Sequence, residues 1–371
     1  MKYLYLFILG RNPELSKAEL YSFLKISGIK ISRTSEKGNS ILLEIDNEIK
    51  KEELEHLGGI ISAGKVISDI SKHNKKELNE KLKTVYNGTK NNITYAIWNF
   101  SSDKNYEFVA DYLKEKFREE KFKASRKNLT RILELQNEQK ISIVGNDVDE
   151  EFFVFDEYFG RIFFITNYES LEFRDISKPH RRESLAISPR LAKIMINLSE
   201  AKKDDKIIDA FCGIGVILSE ALLQGIKAAG IDRDKGALEM ATENLKWLKI
   251  NKEDYNLIEN DSGKIKLTNQ VFHSLVSEPE FGETLKEIPP SDKAHLILSR
   301  YENLLINVLN NLKHYVKHRF VFTAPYILTK DRRISCNINK IATACGLKIV
   351  CSYKEFRKKQ IVGREIFVLE H

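Results

Sequence analysis

The chain is 371 residues long, 42% apolar and 30% charged, which suits an ordinary globular protein of two or three domains, each able to bury a core. Its formal net charge of +7 is mild for that length and suits a polyanionic partner without requiring one. Four cysteines (Cys212, Cys336, Cys345, Cys351) form no CxxC pair and have no histidine at ligand spacing, and no apolar run is long enough to span a bilayer; zinc, a disulfide framework and a membrane anchor are therefore not expected, and a reducing cytoplasm is.

Lys2 to Leu9, rich in aromatic and branched residues, reads as a buried strand. Asn12-Pro13 turns the chain, and Ser16 is a suitable N-cap for a helix with Ala18, Leu20 and Leu24 on one side, ended by Gly28. A strand at Ile41–Ile45, a short helix over 50–57 and a strand at Ile60–Ile70 follow. The order predicts a ferredoxin-like α+β module over 1–71. A Lys- and Asn-rich helix fills 72–88, Thr94–Phe100 is a strand, and Tyr106–Lys121 is a helix with Phe108, Leu113 and Phe117 on its apolar side. Residues 129–135 read as helix then strand. Strands at Ile141–Val144, Glu151–Tyr158 and Gly160–Ile165 complete a second α+β module over 72–168.

Residues 169–187 are polar, contain Lys178-Pro179-His180-Arg181-Arg182, and read as a linker to a domain over 188–371. Ser188 and Pro189 open its first helix as N-cap and first-turn proline. Strands then alternate with helices at 235–249, 293–315 and 334–344. This predicts a mostly parallel, doubly wound sheet closed by an antiparallel edge hairpin of 347–353 and 360–369.

The stretch from Ile207 to Asp232 reads as strand, glycine turn, helix, strand and acid. Amides after a glycine turn face a ligand, and a carboxylate after the second strand can accept from two ribose hydroxyls. The dinucleotide pattern GxGxxG is absent, because position 218 is Leu. An acid two residues before Phe-Cys-Gly-x-Gly instead resembles the first motif of S-adenosylmethionine-dependent methyltransferases. On that resemblance Asp209 meets the methionine ammonium, Asp232 the ribose diol and Asp261 the adenine amino group.

The fourth strand of this domain, Ser274–Ser277, ends in Glu278-Pro279-Glu280-Phe281, where amino-group methyltransferases commonly carry Asp/Asn-Pro-Pro-Tyr/Phe. The nitrogen lone pair of a base amine is delocalised into the ring. Two acceptors that draw on its N–H bonds, with an aromatic ring stacked on the base, hold the nitrogen in line for transfer. Glu278 takes the place of the Asp, the Pro279 carbonyl is the second acceptor and Phe281 stacks. Glu280 replaces the second proline. Between 114 and 131 basic residues cluster among acids, which suits either a solvated helix face or a phosphate-tracking surface for RNA. Lys123, Arg126 and Lys127, with Arg181 and Arg182, are its candidate contacts.

The chain as a whole resembles the THUMP-domain tRNA guanine-N2 methyltransferases, the class that modifies guanine-10. Four stretches carry this: Tyr5–Leu20, HLGGIISAGKVI at 56–67, the junction Phe173–Ser199, and DAFCGIG at 209–215 with Ala210 where Pro is usual. The resemblance implies a THUMP-like tRNA-binding module followed by a Rossmann-like class I methyltransferase domain that uses S-adenosylmethionine. It implies cofactor contacts at Ser188, Pro189, Asp209, Phe211, Gly213, Gly215, Asp232 and Asp261, and amine contacts at Glu278, Pro279 and Phe281. Glu-Pro-Glu-Phe departs from the family's Asp-Pro-Pro-Tyr. That departure keeps two alternatives open: a DNA adenine or cytosine amino-methyltransferase, and a catalytically inactive RNA-binding homologue in which Glu278 and Glu280 repel substrate.

Overall fold

The computed structural model describes residues 2–136, 138–144, 148–182, 187–281, 285–358 and 360–371. Contacts divide the chain into two units. The first comprises Met1–Pro13, Gly28–Glu55 and Ile60–Thr166; the second comprises Glu14–Ser27, His56–Gly59 and Asn167–His371.

The chain begins β1 (Tyr3–Leu9), α1 (Pro13–Ile26), β2 (Ile31–Lys37), β3 (Ser40–Ile45), α2 (Lys51–Leu54) and β4 (Ile60–Asp69). The strands pair antiparallel in the order β2-β3-β1-β4, which is the βαββαβ ferredoxin-like arrangement. The periodicity does not predict β2. Its sequence, ISRTSEK, is largely exposed, and only backbone pairing to β3 makes it a strand. Helix α1 starts at Pro13, ahead of Ser16, because a proline fits the first turn of a helix without losing a hydrogen bond.

Next come α3 (Lys75–Lys81), β5 (Asn92–Phe100), α4 (Asp103–Glu119), β6 (Lys123–Arg126), β7 (Arg131–Glu134), β8 (Lys140–Ile143), β9 (Glu150–Phe155) and β10 (Tyr158–Ile165). The first sheet continues β4-β10-β9-β5-β6, so one eight-stranded sheet crosses the expected boundary at 71/72. Hydrogen bonding between β4 and β10 leaves no seam there. The expected helix over 72–88 shrinks to α3, capped by Asn74, with Leu78 as its one buried residue. Residues 129–135 contribute β7 of a hairpin with β8, not a helix. Val109, Leu113 and Phe117 of α4 pack on Tyr95, Phe152 and Val154 of the sheet. Each such side chain contributes roughly 1.5–3 kcal/mol by leaving water.

The second unit adds α5 (Tyr168–Ile176), α6 (Pro189–Leu198), β11 (Lys206–Asp209), α7 (Val216–Leu223), β12 (Lys227–Asp232), α8 (Lys235–Trp247), β13 (Tyr255–Glu259), β14 (Ser274–Ser277), α9 (Ser291–Leu312), β15 (Arg319–Leu328), β16 (Arg333–Ser335), α10 (Ile338–Cys345), β17 (Lys348–Glu355) and β18 (Val362–Glu370). Its sheet runs β13-β12-β11-β14-β15-β18-β17, parallel through β15, with β18 antiparallel to both of its neighbours. The expected linker 169–187 carries α5, whose Arg174 pairs with the buried Glu220 of α7. Residues 183–186 of that stretch lie outside the described residues. The start of the expected helix 334–344 is β16, captured by pairing with the end of β15.

Helix α1 and the Leu-Gly-Gly turn come from the N-terminal βαββαβ but belong to the second unit. Leu15 joins Leu191, Ile194 and Met195 in its core. Glu19 is fully buried and accepts from the amides of Gly58 (2.7 Å) and Gly59 (2.6 Å) and from Asn197 Nδ2 (2.8 Å). Residues 188–371 therefore do not hold the whole of the second unit's core.

Candidate functional site

In a doubly wound sheet the carboxyl ends of adjacent parallel strands open on one crevice. Here that crevice is a cleft of about 500 Å³ at the ends of β11, β12, β13 and β14. Asp209, Asp232, Asp261 and Glu278, each at or just past one of these ends, all line it.

The turn after β11 is made by Gly213 (φ 50°) and Gly215 (φ 83°), a backbone region that only glycine enters without strain. Gly213 N–H donates to Asp232 Oδ2 at 2.8 Å, and Asp234 N–H donates to Oδ1 at 2.9 Å. Both oxygens of Asp232 are thus oriented by backbone while each keeps acceptor capacity. Asp261 is exposed and orients itself by accepting from Gly263 N–H at 2.8 Å. Phe211 and Gly213 line the cleft, as do Leu304, Asn307 and Val308 of α9.

Asp209 is buried, and its Oδ1 accepts from Ser277 Oγ at 2.6 Å and Phe211 N–H at 3.1 Å. Burial pushes its carboxyl up to about 7; the two hydrogen bonds oppose that, and the charges of Asp232 and Glu278 add to it. A cation placed beside Asp209 would restore the charged form.

Glu278 is ion-paired through Oε1 with Arg364 Nε of β18. Its Oε2 and Thr323 Oγ1 are both buried without a hydrogen-bond partner of ordinary geometry. Burial raises the Glu278 pKa, and Arg364, then Thr323, pull it back. Pro279 is buried, with its carbonyl 3.4 Å from the Tyr301 hydroxyl, which donates to Thr323 O at 2.8 Å. Phe281 is half-buried, edge-on to Tyr301 (6.0 Å) and under the Arg364 guanidinium (5.5 Å). Neither Pro279 nor Phe281 is among the residues that line the cleft.

The remaining candidates spread out. Ser188 caps α6 by accepting from Leu191 N–H at 3.3 Å, and Pro189 fills its first turn; Ile187, and neither of these, reaches the cleft. Arg182 also lines the cleft, paired with Asp234 at 2.7 Å and 3.9 Å from Glu280. Arg181 is exposed, as are Lys123, Arg126 and Lys127 in the first unit, where Arg126 stacks on Tyr106 at 5.7 Å. Sequence reasoning misses Ser277, Thr323, Tyr301, Asn307 and Arg364. Ser277 carried a weak signal as the last residue of the fourth strand; Arg364, 86 residues beyond Glu278, carried none. Among the described residues no group of three or more His, Cys, Asp or Glu could hold a metal, and no helix is long and apolar enough to cross a membrane.

A family model described as DNA methylase matches residues 11–243. A protein named tRNA (guanine(10)-N2)-dimethyltransferase, from Methanothermobacter thermautotrophicus, is 38% identical over 109 residues, 29% of this chain and 32% of that one. One of the same name from Methanocaldococcus jannaschii is 26% identical over 216 residues, 56% of this chain and 58% of that one. The chain therefore spans less than two thirds of the length of either relative. TrmN from Thermus thermophilus, a solved structure, matches with a TM-score of 0.51 and 13% identity, over 100% of this chain and 99% of that one, which shows a shared fold.

Proposed function

We propose a function from one premise: the chain belongs to the family described as DNA methylase, with the α/β, Rossmann-like fold of its second unit as the frame. The match ends at residue 243, so it includes the glycine turn and stops short of Glu278. Within that family the protein acts as an S-adenosylmethionine-dependent methyltransferase on the exocyclic N2 amine of a guanine in tRNA, in a reducing cytoplasm. One observation carries this: Asp209, Asp232, Asp261 and Glu278 converge on one cleft at neighbouring strand ends. The relatives' names support guanine in tRNA as the target.

The donor set fits S-adenosylmethionine. Asp232 offers two oriented acceptors to a ribose diol, Asp209 a buried carboxyl that an ammonium would ionise, and Asp261 an exposed acceptor for an adenine amino group. When bound, the cofactor supplies an electrophilic methyl on a sulfonium sulfur. Phe211 and Gly213 line its path, Gly215 acts by shaping the turn, and Ser188 and Pro189 act indirectly, by starting the helix next to Ile187. Glu278 and the Pro279 carbonyl accept from the target amine, and Phe281 supports the base. Acceleration then comes from position and fixed charge, with no strong base. Residues 72–168 serve as a THUMP-like module, and Lys123, Arg126, Lys127 and Arg181 meet tRNA phosphates. Arg182 instead partners the cleft acids.

A second reading, an inactive RNA-binding homologue, is favoured by the ion pair that occupies Glu278. The test incubates the protein with labelled S-adenosylmethionine and either total tRNA or genomic DNA, then identifies the labelled nucleoside by mass. N2-methylguanosine from tRNA is expected. A methylated deoxynucleoside overturns the proposal in favour of DNA, and cofactor binding with no transfer overturns it in favour of the inactive homologue.

A further inference from the structure

Each carboxylate of Glu278-Pro279-Glu280 faces an arginine from elsewhere in the second unit. Glu280, at the exposed end, has Arg182 at 3.9 Å. Glu278 has Arg364, and that pair is withdrawn from water, with side chains 7% and 22% exposed. Arg364 is held by register, opposite Pro325 of β15 on one side and Glu355 of β17 on the other. Its guanidinium reaches both Glu278 and the ring of Phe281.

The pairing is one-sided. An arginine that silenced a carboxylate would engage both oxygens through its fork. Here Arg364 takes Oε1 alone, and Oε2 is buried near the Thr323 hydroxyl, which draws on the carboxylate without a hydrogen bond of ordinary geometry, in a residue that lines the cleft. Native proteins seldom leave such an atom unmatched unless a ligand completes it. A carboxylate buried this deeply stays ionised only beside a cation, and a protonated Glu278 could present O–H, the wrong polarity for an amine hydrogen. The extra methylene of Glu over Asp makes restraint more necessary, since it adds a rotatable bond.

We propose that Arg364 is a positioning residue: it holds Glu278 ionised by gripping Oε1, leaves Oε2, beside the Thr323 hydroxyl, to accept an N–H of the target amine, and fixes Phe281 through the same guanidinium. The identity of that amine rests on the function proposed above; the control of Glu278 does not.

The test uses the full-length protein and two readouts. The first needs neither cofactor nor tRNA: the infrared band of the Glu278 carboxyl, assigned by its loss in Glu278→Gln, is titrated with pH. Arg364→Gln should raise the midpoint by roughly one to three pH units, and Arg364→Lys should keep it within about one. Equal midpoints in wild type and Arg364→Gln overturn the proposal. The second is methyl transfer. Arg364→Gln should lose at least about tenfold in kcat at neutral pH with KM for S-adenosylmethionine unchanged, and should recover as pH rises past its new midpoint. Wild-type kcat at every pH overturns the positioning role.

Should Arg364→Gln fail to bind cofactor, the Arg364 Nε–H resonance of the wild type decides. It must move at the Glu278 midpoint and stay still in Glu278→Gln; a resonance indifferent to that titration overturns the pairing. A wild type that methylates no nucleic acid, with the midpoint still rising in Arg364→Gln, refutes the proposed function and leaves Arg364's control of Glu278 standing.

Discussion

Asp232 accepts one backbone N–H on each carboxylate oxygen, from Gly213 and Asp234. Asp232→Ala removes both acceptors for a diol and releases the turn. Affinity for S-adenosylmethionine should fall at least about a hundredfold by calorimetry, since hydrogen bonds to a charged group are each worth roughly 1.5–3 kcal/mol. Asp209 acts through its protonation. With its carboxyl pushed up to about 7, it is largely neutral in mild acid and charged above neutrality. Pairing with an ammonium requires the charged form. Cofactor affinity should therefore rise with pH through about 7, steepening toward tenfold per pH unit on the acid side, and Asp209→Asn should flatten the profile. Its effect on stability runs the other way. A folded pKa above the unfolded 3.8 means that its contribution is full below about 4 and lost as pH rises through about 7.

At the scale of elements, β12 passes so close to the glycine turn that a Cβ on Gly230 would sit 2.6 Å from Leu218 Cδ1 and 2.7 Å from Cys212 Sγ. Gly230→Val should cost about 1–3 kcal/mol in chemical denaturation by overpacking, and should weaken cofactor binding because Asp232 ends the same strand. The elements around this turn were legible because each declares itself locally, through apolar periods and glycine stops. Polar β2 was not, since nothing in ISRTSEK announces the partner that makes it a strand. Short β16 overlaps the start of the helix expected over 334–344, because three residues show no period. The C-terminal hairpin was legible, and the exposure of β17 against the continuous burial of Glu365–Leu369 in β18 shows which strand lies inside.

For the whole molecule, the division into units does not follow chain order. Helix α1 and residues 56–59 complete the second unit, with Glu19 accepting from Gly58, Gly59 and Asn197. Glu19→Ala strands three buried donors and should lower stability by about 3 kcal/mol or more in a denaturant titration, whereas Glu19→Gln should lose less. The net charge of +7 supports a salt-dependent encounter with a polyanion. Each of Lys123→Ala, Arg126→Ala and Lys127→Ala should flatten the log–log salt dependence of tRNA binding by about one, with cofactor affinity unchanged. A mutant slope equal to that of the wild type would remove that residue from the interface.

Asp209, the glycine turn and Asp232 were determined by the sequence alone, because a βαβ unit is built from chain neighbours whose spacing and turn chemistry are written in order. Asp261 and Glu278 followed as the ends of the next two strands. Only the tertiary structure decided that Ser277 holds Asp209, that Arg182 stands at the cleft and that Arg364 grips Glu278. Those contacts depend on strand order, on β18 entering between β15 and β17, and no local period encodes which distant strand will lie beside another.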